Sequence, residues 1–349
     1  MEVEQLDTPV AIVDLDLLEE NIMRLQSHLD QCGIKNRPHI KTHKIPEIAH
    51  MQIKAGAVGI TCQKLGEAEV MAQAGISDIF IPYNIIGRSK LERLVNLSRR
   101  AKISVTADSD VTVQGLSQAM ALSETELPVM VEFDSGLNRC GVQSSQEAAG
   151  LAQLIHQLPG LHFAGLMTYP SSDKTAPFVR ETQKLLQPHG LQVEQVSGGG
   201  SKAAWQVQYF PEVTEHRAGT YVYGDRSGIK QGYATLTQCA LKVIATVVSR
   251  PTATRGILDT GSKVLSSDTM GLEGYGLIVE YPDAVIYGLS EEHGHVDFSA
   301  HQRAPAVGER VTIIPNHVCV VSNLFNEIVG VRNSRVEVVW PVAARGMVR

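Results

Sequence analysis

Arg37-Pro38-His39-Ile40-Lys41-Thr42-His43-Lys44 places one lysine between two histidines where an apolar-alternating run meets a polar turn. Two lysines, two histidines and an arginine this close together repel one another unless some are neutral or an anion sits among them. A lysine so placed is a candidate Schiff-base former, and a phosphorylated cofactor attached to it meets both conditions. The competing reading is a basic surface loop. The architecture around the segment decides between the two, because the end of a strand in a parallel barrel is where chemistry collects.

Outward from this segment, β-rich runs recur near Asn36–Lys41, Val58–Thr61, Asp78–Ile81, Lys102–Thr106, Pro128–Phe133, His162–Thr168, Gln192–Val196 and Val213–Arg217. Amphipathic stretches such as Leu65–Ala74, Ser89–Arg100, Val111–Leu122, Gln146–Gln157 and Phe178–Leu186 separate them. Eight strands with eight crossovers predict an α/β fold, a (β/α)8 TIM-type barrel over residues 10–231. An open doubly wound sheet looks similar locally, but regular repeats without a strand-order break favour closure. After about Thr235 the texture changes to β-branched runs between Gly, Pro and Asp turns: Thr235–Val248, Arg255–Leu258, Ala284–Leu289, His293–Phe298, Arg310–Pro315, Val318–Ser322 and Arg335–Val339. They predict a C-terminal all-β domain over residues 232–349, joined by residues 1–9, with no helix. The run Pro9–Asp14 falls outside the eight-strand count and is a candidate strand of that second domain.

The barrel reading predicts a chemically crowded rim. Strand one ends in Lys41 and His43, the second leads to Gln63 and Lys64, the third to Asn84, the fourth to Asp108, and the fifth to Asp134, Ser135, Gly136 and Arg139. Tyr169 follows the sixth, Ser197-Gly198-Gly199-Gly200-Ser201 the seventh, and Arg217-Ala218-Gly219-Thr220-Tyr221 the eighth. Three consecutive glycines before a helix let backbone N–H groups approach an anion, a phosphate cradle, and the last two strands are where barrels of this type bind phosphate. A flexible turn is the plainer reading. In the β domain, His317-Val318-Cys319 read as a strand puts His317 and Cys319 on one face. Imidazole plus thiolate suits a divalent metal such as zinc, and two ligands leave positions open for substrate or water. A core cysteine beside a hydrogen-bonded histidine is the alternative. Glu291, Glu292, His293 and His295 are candidates for further ligands, or simply an exposed turn.

A formal charge of −6 argues against nucleic acid or an anionic membrane as partner, since both need a basic face. Small-molecule chemistry remains. The acidic start, Met1 to Pro9, has no apolar signal region, and no stretch has the length of a membrane span. Five scattered cysteines, Cys32, Cys62, Cys140, Cys239 and Cys319, fit a reducing cytoplasm better than a disulfide framework.

These residues resemble a known family. The lysine segment, Val131-Glu132-Phe133-Asp134-Ser135-Gly136 with Arg139-Cys140-Gly141-Val142, the Ser197–Ser201 loop and Arg217-x-Gly219-Thr220-Tyr221-x-Tyr223-Gly224-Asp225 resemble the fold-type III, alanine-racemase-like pyridoxal-phosphate enzymes. Leu258-Asp259-Thr260-Gly261-Ser262-Lys263, Ser290-Glu291-Glu292-His293-Gly294 and His317-x-Cys319 are similar to the D-threonine aldolase and D-serine dehydratase branch. The resemblance implies that Lys41 carries pyridoxal 5'-phosphate and that Ser197, Gly198, Gly199, Gly200, Ser201, Gly219, Thr220 and Tyr221 hold its phosphate. It implies that Arg139 and Arg217 face the ring, one of them keeping the pyridine nitrogen unprotonated, that Tyr169 contacts the ring, and that His43 is a candidate acid–base group. Alanine racemases carry a second base in an early Gly-Tyr-Gly of the β domain; here Gly274-Tyr275-Gly276 comes later. Non-catalytic pyridoxal-phosphate carriers lack the β domain. What remains is a lyase, dependent on a divalent metal (zinc or manganese) held by His317 and Cys319, acting on a D-3-hydroxy amino acid. It is either a D-threonine aldolase, toward which the compact chain tilts the reading, or a D-serine dehydratase, of which His-x-Cys is typical where aldolases have His-x-Asp. A cytoplasmic homodimer is the assembly the resemblance implies.

Overall fold

The computed structural model describes residues 1–121, 123 and 126–349. Leu122, the end of the helix expected over Val111–Leu122, lies outside the described residues; the helix itself spans Asp110–Met120. The chain divides into two compact units. One comprises Arg24–Lys41, Ile48–Gly219 and Gly346–Arg349, the other Met1–Met23, Thr42–Glu47 and Thr220–Arg345.

The first unit is the barrel. Its eight parallel strands run in the order Lys35–Asn36, Glu215–Arg217, Gln195–Gly199, Leu161–Met167, Leu127–Glu132, Lys102–Ala107, Asp78–Asn84 and Ile60–Thr61. Closure is made by backbone bonds, Val58 N–H to the Asn36 carbonyl at 2.9 Å and Thr61 N–H to the Pro38 carbonyl at 2.8 Å. Strands covered on both faces need apolar residues at successive positions, and Ile79-Phe80-Ile81, Val129-Met130-Val131 and Leu166-Met167 are all buried. Phe80, Met130 and Met167 pack together with Ala164. Helices between the strands start on signals written in the sequence: Ser109 caps Asp110–Met120, and Ser144 with Glu147 forms a capping box on Ser145–Gln157.

Two strands differ from expectation. The first has only Lys35–Asn36 in regular pairing, because Pro38 has no N–H to donate. Its alternate N–H groups continue the ladder nonetheless, Arg37 to the His216 carbonyl at 3.0 Å and His39 to the Ala218 carbonyl at 2.8 Å, before a single 3-10 turn, Ile40–Thr42. The seventh lies further along than Gln192–Val196, over Gln195–Gly199, so that two of the three loop glycines are strand residues.

The second unit is built on a mostly antiparallel sheet in the order Val285–Leu289, Gly294–Asp297, Arg255–Leu258, Leu241–Ser249, Val10–Asp14, Glu327–Arg332 and Arg335–Pro341; Arg310–Ile314 also pairs with Leu241–Ser249 and with Leu277–Ile278. Val10–Asp14 lies inside this sheet, antiparallel to Leu241–Ser249 and parallel to Glu327–Arg332. The division of the chain therefore differs from the expected boundaries: residues 10–23, 42–47 and 220–231 fall in the sheet unit and 346–349 in the barrel unit. One expected strand is a helix. Val318–Leu324 is helical, with Val318, Val321 and Ser322 buried, a 3–4 spacing that a β-branched run conceals. Among the described residues no helix is long and apolar enough to cross a membrane.

Gly165 is in the left-handed region at φ +135°, at an irregularity in the pairing of Leu161–Met167 with Leu127–Glu132, and a Cβ there would run into the Gln195 carbonyl. Gly165→Ala is therefore expected to cost roughly 2 kcal/mol or more in urea unfolding. Gly150→Ala, in a helix with nothing within 4 Å of the new Cβ, should instead stabilise by about 0.5–1 kcal/mol.

Candidate active site

The cations of the Arg37–Lys44 segment are separated by the fold. Arg37 is buried in the barrel, its Nε 2.6 Å from Glu215 and its Nη1 2.5 Å from Asp78. Burial opposes its charge, and the two carboxylates more than compensate, so its pKa rises. Lys44 is buried in the other unit, with Nζ donating to Asn323 Oδ1 at 2.9 Å. His43 is fully buried there too, its Nδ1 accepting from Ile45 N–H at 3.1 Å. Lys41 is left. It stands half-buried at the strand end, its N–H on His39 Nδ1 at 3.4 Å and its Nζ 5.8 Å from the Tyr169 ring centroid. Among the described residues that ammonium makes no hydrogen bond or ion pair. The sequence sets Lys41 apart from Lys44 by its place between two histidines; their partners in the structure differ as well.

Around Lys41 the barrel rim collects the other candidates. The Arg139 guanidinium lies 5.1 Å from the Tyr169 ring on an exposed loop. Arg217 is fully buried, with Nε donating to Ser197 Oγ at 2.9 Å and Nη2 to the Thr168 carbonyl at 2.7 Å. Burial pulls its pKa down to about 10, against Glu215, Glu132 and Tyr169, which raise it. Ser197 has a different task from the expected one. Its hydroxyl donates to Glu215 Oε1 at 2.9 Å while accepting from Arg217, so it faces the barrel interior and is not offered to a phosphate. The Gly199 amide is also taken, by Ser171 Oγ at 3.1 Å, and the Gly200 amide by the Arg217 carbonyl at 3.2 Å. Glycine is needed here for close packing: a Cβ on Gly199 would sit 2.9 Å from Tyr169 Cδ2 and 3.3 Å from Arg217 Nη2, and one on Gly198 3.3 Å from His216 Nδ1. The anion cradle read from three glycines contracts to the turn at Gly200, φ +109°, and Ser201, which begins a one-turn helix. Gly219 ends the barrel unit; Thr220 and Tyr221 open a 3-10 turn of the other unit, where Thr220 Oγ1 is 2.9 Å from Tyr233 Oη. A half-buried amine without a hydrogen bond or ion pair among the described residues, an aromatic ring within reach of it and a positive-φ turn at Gly200 are a set of groups that fits pyridoxal phosphate.

Glu132, which the sequence reading passed over, ends its strand at the same rim. Burial pushes its carboxyl up to about 7, although Arg217 and Arg139 oppose this. The rule that strand ends carry chemistry would have found it, since it directly precedes Phe133-Asp134.

The His317–Cys319 pair is in the sheet unit. His317 is extended, φ −143° and ψ 98°, and caps the Val318–Leu324 helix, so Cys319 lies on the first helical turn and not two places along a strand. Asp225 fixes this start, its carboxylate accepting Val318 N–H at 3.1 Å and Gly228 N–H at 2.7 Å. The His317 Nδ1 is 2.7 Å from Asp268 Oδ2, and Cys319 Sγ is 3.2 Å from Thr42 Oγ1. Burial lowers the imidazole pKa, yet Cys319, Asp268 and Asp225 outweigh it and raise it to about 9. Without an ion the ring is therefore held as imidazolium; in the neutral form, with Nδ1–H donated to Asp268, Nε2 would offer its lone pair beside a soft thiol, a donor set that fits a borderline-soft divalent ion taking the place of the proton. Among the described residues the fully buried Tyr223 hydroxyl has no hydrogen-bond partner, and burial together with the Cys319 charge raises its pKa. Among the described residues no third histidine, cysteine or carboxylate completes a metal cluster. Glu291 and Glu292 pair instead with Lys263 at 2.9 and 2.7 Å, and His295 Nε2 is 3.0 Å from Ser290 Oγ. Their motif is structural: a Cβ on Gly261 would strike the carbonyls of Ser290 and Glu291. Asp268, in an aperiodic turn, left no signal in the sequence.

A closed parallel barrel with a free rim lysine, followed by a mostly antiparallel sheet, is the architecture of fold-type III pyridoxal-phosphate enzymes. The family described as alanine racemase, N-terminal domain, matches residues 13–227, and a serine dehydratase domain matches residues 240–331. The chain is 35% identical to a D-threonine aldolase of Arthrobacter, over 99% of this chain and 94% of that one. A crystal structure of D-threonine aldolase from Filomicrobium marinum superposes with a TM-score of 0.90 at 33% identity, covering 98% of this chain and 96% of that one. The D-threo-3-hydroxyaspartate dehydratase of Delftia is 31% identical over 92% of this chain and 93% of its own. That dehydratase has been solved as a histidine-to-alanine variant and, two positions further on, as a cysteine-to-alanine variant in the metal-free form. The chain belongs to the D-threonine aldolase and D-serine dehydratase family of alanine-racemase-like pyridoxal-phosphate enzymes.

Glu132 supplies a pH test. Its folded-state pKa of about 7 lies above the ordinary 4.5, so its contribution to stability is complete below about pH 4.5 and lost as pH rises through 7. Between pH 5 and pH 8 the parent chain should lose on the order of 3 kcal/mol relative to Glu132→Gln, read as the difference in urea midpoints.

Proposed function

We propose that this protein is a D-threonine aldolase, cleaving Cα–Cβ of a D-3-hydroxy amino acid to give glycine and an aldehyde. The observation that carries the reading is the separation of the Arg37–Lys44 cations, which leaves Lys41 as the free amine at the rim of a barrel whose likeness to D-threonine aldolases runs the length of the chain. Pyridoxal phosphate would be held by Lys41, Arg139, Tyr169, Arg217 and the Gly200–Ser201 turn, with Gly219, Thr220 and Tyr221, and bound there it supplies the sink for the electron pair released at Cα. Lys41 Nζ would be the group that takes or returns a proton at Cα. Arg217, a cation locked by Ser197 and Thr168, and Arg139 would face the ring, and the one at its nitrogen would keep that nitrogen unprotonated and limit side reactions. His317 and Cys319 would hold a divalent ion, zinc or manganese, whose charge lowers the pKa of the substrate β-hydroxyl. The implied setting is a cytoplasmic homodimer.

A second reading has its own support. His317-x-Cys319 repeats the histidine–cysteine spacing of the Delftia dehydratase variants, so elimination of the β-hydroxyl, as in D-serine dehydratase, is the alternative outcome at the same residues.

Incubation with D-threonine and D-allo-threonine should release glycine; 2-oxobutyrate from these, or pyruvate and ammonia from D-serine, would replace the aldolase reading by the dehydratase one. Lys41→Ala is expected to abolish the visible absorbance of bound cofactor and Lys44→Ala to retain it. Exhaustive chelation should leave that absorbance in place and stop turnover, with zinc or manganese restoring it, and Cys319→Asp should shift the preference toward manganese. Full activity after chelation would return His317 and Cys319 to the role of core residues.

A further inference from the structure

We infer that Asp268 is a positioning residue for the metal, orienting His317 from behind and setting the affinity of the site; this rests on the proposed metal role of His317 and Cys319. Its Oδ2 lies 2.7 Å from His317 Nδ1. A carboxylate in that place fixes the tautomer, aims Nε2 away from itself and makes the imidazole a better donor to a cation. Nothing in the aperiodic Ser266–Gly271 stretch would bring an aspartate there by regular secondary structure.

The turn that presents it is heavily fastened. Two non-glycine residues flanking Asp268, Ser266 at φ +62° and Met270 at φ +51°, occupy the left-handed region, an arrangement that persists only where the surroundings enforce it. Asp268 N–H is bound by Ser266 Oγ at 3.2 Å, and Asp268 Oδ1 accepts Met270 N–H at 3.1 Å, leaving Oδ2 for His317. From the Arg226–Lys230 helix, Lys230 Nζ holds the Gly271 carbonyl at 2.7 Å and Arg226 Nη1 the Glu273 carbonyl at 3.0 Å. Arg226 Nη1 also binds Asn316 Oδ1 at 2.7 Å, and Asn316 Nδ2 holds the Gly274 carbonyl at 2.8 Å. Asn316 immediately precedes His317. The turn carrying the carboxylate and the residue next to the imidazole are thus tied to one arginine, so the spacing between Asp268 and His317 is set before any ion arrives. Such fastening has a use in holding a ligand's orientation, and a salt bridge on the half-exposed Asp268 side chain would by itself stabilise little.

The test is zinc affinity, measured on the pyridoxal-phosphate-loaded protein by competition with a chromophoric chelator. Asp268→Asn is expected to weaken zinc binding 10- to 100-fold, with cofactor content and thermal midpoint unchanged, and Asp268→Glu to recover part of the loss. Unchanged zinc affinity in both variants overturns the inference and leaves the metal site standing. An unsubstituted protein that binds no zinc removes the metal reading and this inference with it. Equal loss in Asp268→Asn and Asp268→Glu accompanied by a lowered midpoint would assign Asp268 to the fold and overturn the positioning role.

Discussion

A guanidinium buried in a protein interior must be paired on every side or it unfolds what surrounds it. Arg217 is such a group, and the barrel is arranged to hold it. Ser197 relays it to Glu215, Glu215 is shared with Arg37, and Arg37 reaches Asp78, so four strands are joined through one chain of polar contacts. Around this chain the barrel needs glycine at 198 and 199, because side chains there would collide with His216, Tyr169 or Arg217 itself. The glycines, the serine and the two arginines are therefore one solution to one electrostatic demand. A charge fixed this firmly cannot be turned away by a swing of the side chain.

The two units differ in how they place their reactive groups. In the barrel, candidates come from strand ends, where the backbone is stiff and the direction of each side chain follows from the ladder. In the sheet unit they come from a helix start and an irregular turn, and hydrogen bonds do the aiming: Asp225 on the helix amides, Asp268 on the imidazole, Thr42 on the sulfur.

This difference explains what could be read from the amino acids alone. Barrel strands bury both faces, so apolar runs such as Ile79-Phe80-Ile81 are visible without any partner, and the rim follows by counting. Where side chains compete for one partner, spacing is silent: nothing in Arg37–Lys44 says that Arg37 belongs to Glu215 and Lys44 to Asn323. Ser197 looked like a phosphate ligand because its neighbours are glycines; its true partners lie 18 and 20 residues away. Val318–Leu324 was concealed for a local reason. Valines at 318, 320 and 321 favour a strand by propensity, and the Asp225 carboxylate, 93 residues away, overrides them by capping the amide of Val318.

Val10–Asp14 sits between Leu241–Ser249 and Glu327–Arg332. A ribosome delivers this strand well before either of its two neighbours, so during synthesis it must stay unpaired while the barrel sequence between them emerges. The sheet unit cannot close until Glu327–Arg332 is out, and an extended apolar segment is exposed to self-association for that interval. Cutting the gene at the apparent border between barrel and sheet would make this condition permanent: it would release a barrel fragment with an orphaned β-strand at its head, and a tail fragment with a slot where that strand belongs. Division of such a protein into separately made halves thus has to follow the weave of the backbone and not the order of the codons.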